Sequence, residues 1–192
     1  MKRPGARLRT AVAGTALLIA AHAGAEPVVF TLDPERTFVQ FELLHFGTST
    51  IRGRFGPIAG EVTLDRSAGR GQMRIAIDTA GVSTGLRVFD ARIREADLLA
   101  SAEFPRAVFS ADSVRFEGDR LAEVSGTLEL RGVSRPLVLR ALRFACETRA
   151  QGEVCGGDFE GELIRSDYGI QFGLPFVADR VHLQVQVEGR AR

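Results

Sequence analysis

The sequence predicts an all-β protein whose antiparallel strands roll into a barrel or sandwich around an apolar interior. Six stretches after residue 25 alternate apolar and polar side chains, and strands place successive side chains on opposite faces. Val39, Phe41, Leu43 and His45 share one parity against Phe38, Gln40, Glu42 and Leu44. Val181, Leu183, Val185 and Val187 alternate with His182, Gln184, Gln186 and Glu188, the cleanest example. Glycine and proline punctuate these runs at short spacing, as all-β folds require.

The first 25 residues stand apart. Lys2, Arg3, Arg7 and Arg9 are followed by the uncharged apolar run Ala11 to Ala21, then by Ala23-Gly24-Ala25. That is the pattern of a cleaved signal peptide over residues 1–25, leaving a single domain over residues 26–192 exported to the periplasm. The run is shorter than the ~20 apolar residues of a membrane span. No cysteine lies near the cleavage site to accept a lipid.

Strands are expected at Val28–Leu32, Arg36–Phe46, Thr50–Phe55, Ile58–Leu64 and Gln72–Asp78. Gly56-Pro57 splits the third and fourth out of one long ribbon, and Gly69 to Gly71 make a turn. Next comes the one helical segment: Phe89, Ile93, Ala96 and Ala100 recur at three and four residues, Asp90 can pair with Arg94, and Pro105 stops it. Such a short helix fits a lid near a barrel mouth or a helix packed outside. The remaining strands are expected at Ala107–Phe116, Arg120–Arg131, Leu137–Phe144, Asp158–Arg165 and Arg180–Glu188. Cys146 and Cys155 bracket the polar loop Glu147 to Val154, and an even cysteine count in an exported chain reads as a disulfide.

Composition narrows function mainly by exclusion. The segment 26–192 retains 21 basic against 24 acidic residues, a formal charge of −3, so no basic footprint for nucleic acid exists. His45 and His182 are its two histidines and lie far apart in sequence, so no metal site is expected. There is no G-x-S-x-G elbow and no phosphate loop. The chain is therefore not expected to be an enzyme, and no cofactor is expected beyond a bound long-chain lipid or isoprenoid quinone.

Several landmarks in order resemble the YceI-like, polyisoprenoid-binding family. They are Phe38-x-x-Phe41-x-x-x-His45-x-Gly47, Ile51-Arg52-Gly53-x-Phe55-x-x-Ile58-x-Gly60, and Phe104-Pro105 followed by Phe109-Ser110, with Phe89-Asp90 upstream. Gly126-Thr127-Leu128-x-Leu130-x-Gly132-Val133 and Arg165-Ser166-Asp167-Tyr168-Gly169-Ile170 complete the set. The resemblance implies an eight-stranded antiparallel, lipocalin-like barrel with an elongated apolar cavity, in an exported protein that holds a long-chain lipid. It supplies no catalytic residues. The chain departs from the family at Arg36-Thr37, where relatives carry histidine before Ser or Thr, and at Phe89-Asp90-Ala91-Arg92-Ile93, where they read Arg-Asp-x-His-Leu. Ile164 also replaces a common asparagine. These departures weaken any shared polar chemistry and leave an apolar tunnel intact.

A barrel of eight strands is either filled by its own side chains or holds one slender ligand. The inward parities place Val39, Phe41, Leu43, His45, Phe55, Ile75, Phe109, Gly126, Leu128, Phe159, Leu163, Arg165, Leu183 and Val185 against such a ligand. Gly53, Gly60, Gly126 and Gly161 either leave room for it or mark bends in the wall. On the tunnel reading, Gly126→Phe blocks binding and leaves the fold intact. His45 and Arg165 at a mouth suit a phosphate or quinone carbonyl; the plainer reading is a buried histidine satisfied by backbone and an Arg165–Asp167 or neighbouring ion pair. The favoured function is a periplasmic carrier for an isoprenoid lipid, quinone or similar amphiphile, with transient membrane contact and a homodimer both compatible with it. The alternatives are a filled-barrel envelope protein acting through a protein partner, and an enzyme on isoprenoid lipids using Asp90, His45 or Arg165.

Overall fold

The computed structural model describes residues 26–118 and 120–192, so the expected signal peptide lies outside the described residues. The strands are β1 (Val28–Leu32), β2 (Phe38–His45), β3 (Ser49–Phe55), β4 (Gly60–Asp65), β5 (Arg70–Asp78), β6 (Arg106–Glu117), β7 (Arg120–Leu130), β8 (Val133–Arg149), β9 (Gly152–Ile164) and β10 (Arg180–Ala191). Helix α1 (Arg87–Ile93) and a short helical turn at Thr79–Gly81 lie between β5 and β6. A second turn, Arg165–Tyr168, opens the β9–β10 connection.

Among the described residues all strand pairings are antiparallel, and ten strands make eight staves. β1 and β2 both lie along β10, with Phe30 opposite Ala191 and Val39 opposite Val185. β4 and β3 lie in turn along β1 and β2. Each pair is thus one long stave broken at mid-height. The break at Gly56 has a physical cause: its φ is +153° and an added Cβ would sit 3.1 Å from the Phe38 Cβ. The hairpins from β4 to β10 follow in sequence order, and the β1–β10 pairing closes the cylinder. This is the eight-stranded barrel that the resemblance implies, and it decides between the barrel and the sandwich that the strand pattern left open. β3 is the exception to this pairing: on the side away from β2 it has no strand partner among the described residues, only the Arg54–Ser83 bridge.

The two ends differ. At one, the connections are the tight β4–β5, β6–β7 and β8–β9 turns, and Phe30, Leu64 and Cys155 pack a small buried cluster with Phe144 and Cys146 beneath the lumen. At the other lie the β2–β3 turn, the α1 segment and the long connection 165–179. We call these the floor and the mouth.

Three details differ from the sequence reading. β8 and β9 run on to Arg149 and Gly152, so Glu147 to Val154 is ribbon rather than loop. Cys146 faces Cys155 as a register pair and the two are disulfide-bonded, with Cα atoms 4.0 Å apart. The disulfide therefore staples neighbouring staves at the floor. Glycines 152, 156 and 157 masked this extension, because their weak strand preference hides the alternation. The helix is also shorter than its periodicity: it stops at Ile93, and Ala100 turns the chain with φ +48°. Asp90 does not pair with Arg94 but accepts from the Thr84 backbone N–H at 2.6 Å and hydroxyl at 2.7 Å.

Candidate ligand-binding site

The barrel is hollow. A cavity of about 410 Å³ runs from the floor cluster to the mouth, within the usual range for small-molecule sites. Inward residues at mid-barrel on β6 to β8, such as Phe109, Leu128 and Leu139, are buried against one another. Those on β2, β3 and β5, including Val39, Phe41, Phe55 and Ile77, are only partly buried, and both sets line the cavity.

Thirteen of the fourteen candidate residues line this cavity: Val39, Phe41, Leu43, His45, Phe55, Ile75, Phe109, Leu128, Phe159, Leu163, Arg165, Leu183 and Val185. Gly126 does not. It sits on the inward parity, but the Phe109 ring lies over it, with Cζ 2.8 Å from where a Cβ would stand. The carbonyl oxygen of Ser110 would be 2.5 Å from the same Cβ. Gly126→Phe must therefore disturb the wall itself, and the expectation that it spares the fold is overturned.

The other inward glycines follow the same rule. The Phe41 ring covers Gly53, Ile75 covers Gly60, and Leu139 covers Gly161. A missing Cβ lets a large neighbour lie flat on the wall instead of projecting across the lumen. The glycines thus widen the cavity indirectly, through the posture of the rings beside them. Phe41 and Phe55 pack at 5.5 Å between ring centroids, tilted 39° to each other, as part of the apolar lining.

Five lining residues carry polar side chains: Thr37, Thr79, His45, Arg92 and Arg165. Both threonines are satisfied from within, Thr37 on the backbone of Glu188 and Thr79 by donating to the Phe104 carbonyl at 2.8 Å. Arg165, 4 % exposed, donates to four main-chain carbonyls: Ala178, Ile170, Phe172 and Val177. Its charge is held in apolar surroundings, and burial pulls its pKa below the usual guanidinium value, with Asp179 opposing the shift. Arg165 is thus the strut that shapes the 165–179 connection. Its partners are carbonyls rather than Asp167, and Asp179 instead accepts from Ser166.

His45 and Arg92 stand at the mouth. The His45 ring is half-buried, packs edge-on to Phe46 with centroids 4.5 Å apart, and has no hydrogen-bond partner among the described residues. It is not the backbone-satisfied core histidine that was the plainer reading. Arg92 holds Asp97 through two parallel bonds of 2.6 Å, and its guanidinium lies 4.2 Å over the Phe172 ring. That pairing raises the Arg92 pKa and lowers that of Asp97. Sequence reasoning missed Arg92, Phe172 and Val177 because they sit on connections without strand periodicity. Phe89 and Ile93 of α1 do line the lumen, so the helix is at the mouth rather than outside the barrel.

The chemistry on offer is therefore polarised. From the floor to mid-height a ligand meets hydrocarbon, with the polar side chains among the described lining residues already hydrogen-bonded within the protein. At the mouth it meets an imidazole and the edge of a guanidinium. Asp90, tied to Thr84, does not line the cavity, so Asp90, His45 and Arg165 do not converge on one space.

Comparison with known proteins agrees with this architecture. The family model described as YceI-like domain matches residues 30–189. Protein YceI of Escherichia coli O157:H7 is 32% identical over 157 residues, covering 81% of this chain and 82% of that protein. A UPF0312 protein of Azotobacter vinelandii is 32% identical over 179 residues, covering 92% of this chain and 93% of its own length. Among solved structures, a polyisoprenoid binding domain from Saccharophagus degradans, implicated in plant cell wall breakdown, superposes with a TM-score of 0.63. It shares 21% identity and covers 85% of this chain and 98% of that one.

Proposed function

This chain belongs to the YceI-like domain family, and on that premise we propose that it is a periplasmic binding and carrier protein for a long-chain isoprenoid lipid or quinone. One observation carries the reading: every polar side chain in the deep lumen is already satisfied by the protein, so a hydrocarbon tail loses no hydrogen bond on entering. Each methylene buried there contributes roughly 0.8 kcal/mol. The tail points to the floor and the head group stays at the mouth beside His45 and Arg92. The polyisoprenoid named for the Saccharophagus degradans domain fits such a cavity, and the absence of clustered reactive groups in the described lumen favours binding over turnover.

The test is mass spectrometry of an organic extract from the purified protein, beside intact native spectra. The expected result is one long-chain lipid or quinone per barrel. A protein that is empty as isolated and also refuses added polyprenyl lipids overturns the reading.

A further inference from the structure

Nine large apolar side chains are exposed among the described residues, and seven of them gather at the mouth. Leu44, Phe46 and Phe176 form one group, with the Phe46 and Phe176 rings 5.4 Å apart. Leu86, Val88 and Phe89 form the second, on the helix segment, with Val88 84 % exposed. Phe172 links the two through its contact with Arg92. Three separate chain segments thus converge on one apolar rim, where a soluble surface would normally scatter such residues.

Two features say what this rim faces. Phe89 and Phe172 are both exposed and part of the cavity wall, so the apolar surface is continuous from outside into the lumen. Phe46 is held at φ +51°, a conformation bulky residues avoid, while its N–H donates to the Phe176 carbonyl at 2.7 Å. Phe46 and Gly47, the latter at φ +66°, make the β2–β3 turn, closed by the Thr48 N–H on the His45 carbonyl, and that turn leaves the Phe46 ring exposed. Arg87 and Arg92 flank the rim with long stems that can stay among apolar groups while their charges reach water.

We propose that the mouth rim is the surface by which this barrel docks on a lipid bilayer, inserting Phe46, Phe176 and the α1 edge among the head groups so that a long-chain lipid enters the lumen without crossing water. The inference rests on the carrier reading above. With a net charge of −3 over residues 26–192, docking is driven by apolar insertion and not by attraction to anionic lipid.

The test is flotation of the mature protein with vesicles of phosphatidylcholine, alone or mixed equally with phosphatidylglycerol, with transfer of a polyprenyl alcohol between vesicles measured in parallel. The wild type is expected to float with both vesicle types, with little dependence on salt. Phe46→Asp with Phe176→Asp should lower association and transfer rate roughly ten-fold or more, given the apolar area withdrawn. Both positions are solvent-facing, and loading of the same alcohol from dilute ethanol should be unchanged. Variants that float and transfer like the wild type overturn the docking surface while the carrier reading stands. A wild type that never floats but forms a dimer broken by these substitutions also overturns it, making the rim a protein interface. A protein that floats yet takes up no lipid by either route overturns the carrier reading and leaves the docking surface.

Discussion

Filling the lumen gives the most direct test of where a ligand sits. Val39 and Val185 face each other across the β2–β10 register, line the cavity and are only partly buried. Replacing both with phenylalanine puts about eight additional carbon atoms into the void, displacing about that many carbons of a bound chain. At roughly 0.8 kcal/mol per methylene, the gross loss is about 6 kcal/mol. A chain that slides toward the open mouth recovers part of this, so a loss of about 3–6 kcal/mol is expected, a rise in Kd of at least ~100-fold. Because the rings enter empty space, stability should change by no more than about 1 kcal/mol, or a few degrees in Tm. The assay is titration with a fluorescent polyprenyl analogue, alongside circular dichroism and thermal melting. A folded double variant that binds with wild-type affinity would place the ligand outside the barrel and refute the reasoning.

Three further outcomes follow from named contacts. Gly126→Ala should destabilise by about 1–3 kcal/mol, because its Cβ meets the Ser110 carbonyl and the Phe109 ring; chemical denaturation checks this, and an unchanged midpoint contradicts the packing described. Arg165→Met should cost about 3–5 kcal/mol, since four carbonyls of the 165–179 connection lose their shared donor, and amide exchange there should rise steeply. Asp90 has its pKa lowered by the backbone and then the hydroxyl hydrogen bond from Thr84, so its contribution is complete above the ordinary value of 3.8 and is lost as the pH falls through the depressed one. Hydrogen exchange across residues 84–93, corrected for intrinsic rates, should therefore show the α1 segment loosening only in acid, and Asp90→Ala, which removes the acceptor, should show that loosening at neutral pH.

The sequence by itself determined the staves and their inward faces, because period-two alternation is a local property that survives any arrangement of strands. The stripes Val39 to His45 and Val181 to Val187 line the barrel for that reason, and Gly56-Pro57 marked the break in a stave because backbone constraint is local too. Even the cysteine pair could be matched from count and spacing, though its place within a continuous ribbon could not. Tertiary structure alone decided the rest. Whether the barrel is filled or hollow depends on the tilt of rings such as Phe41 and Phe109, and that tilt is set by a glycine on a neighbouring stave or two residues away across the pair. The role of Arg165 depends on carbonyls five to thirteen residues onward in a connection without periodicity. The apolar rim joins three segments whose exposed phenylalanines and leucines are ordinary when read singly. Alternation records which face a side chain takes, but how much of that face is covered is settled only by what other parts of the chain bring against it.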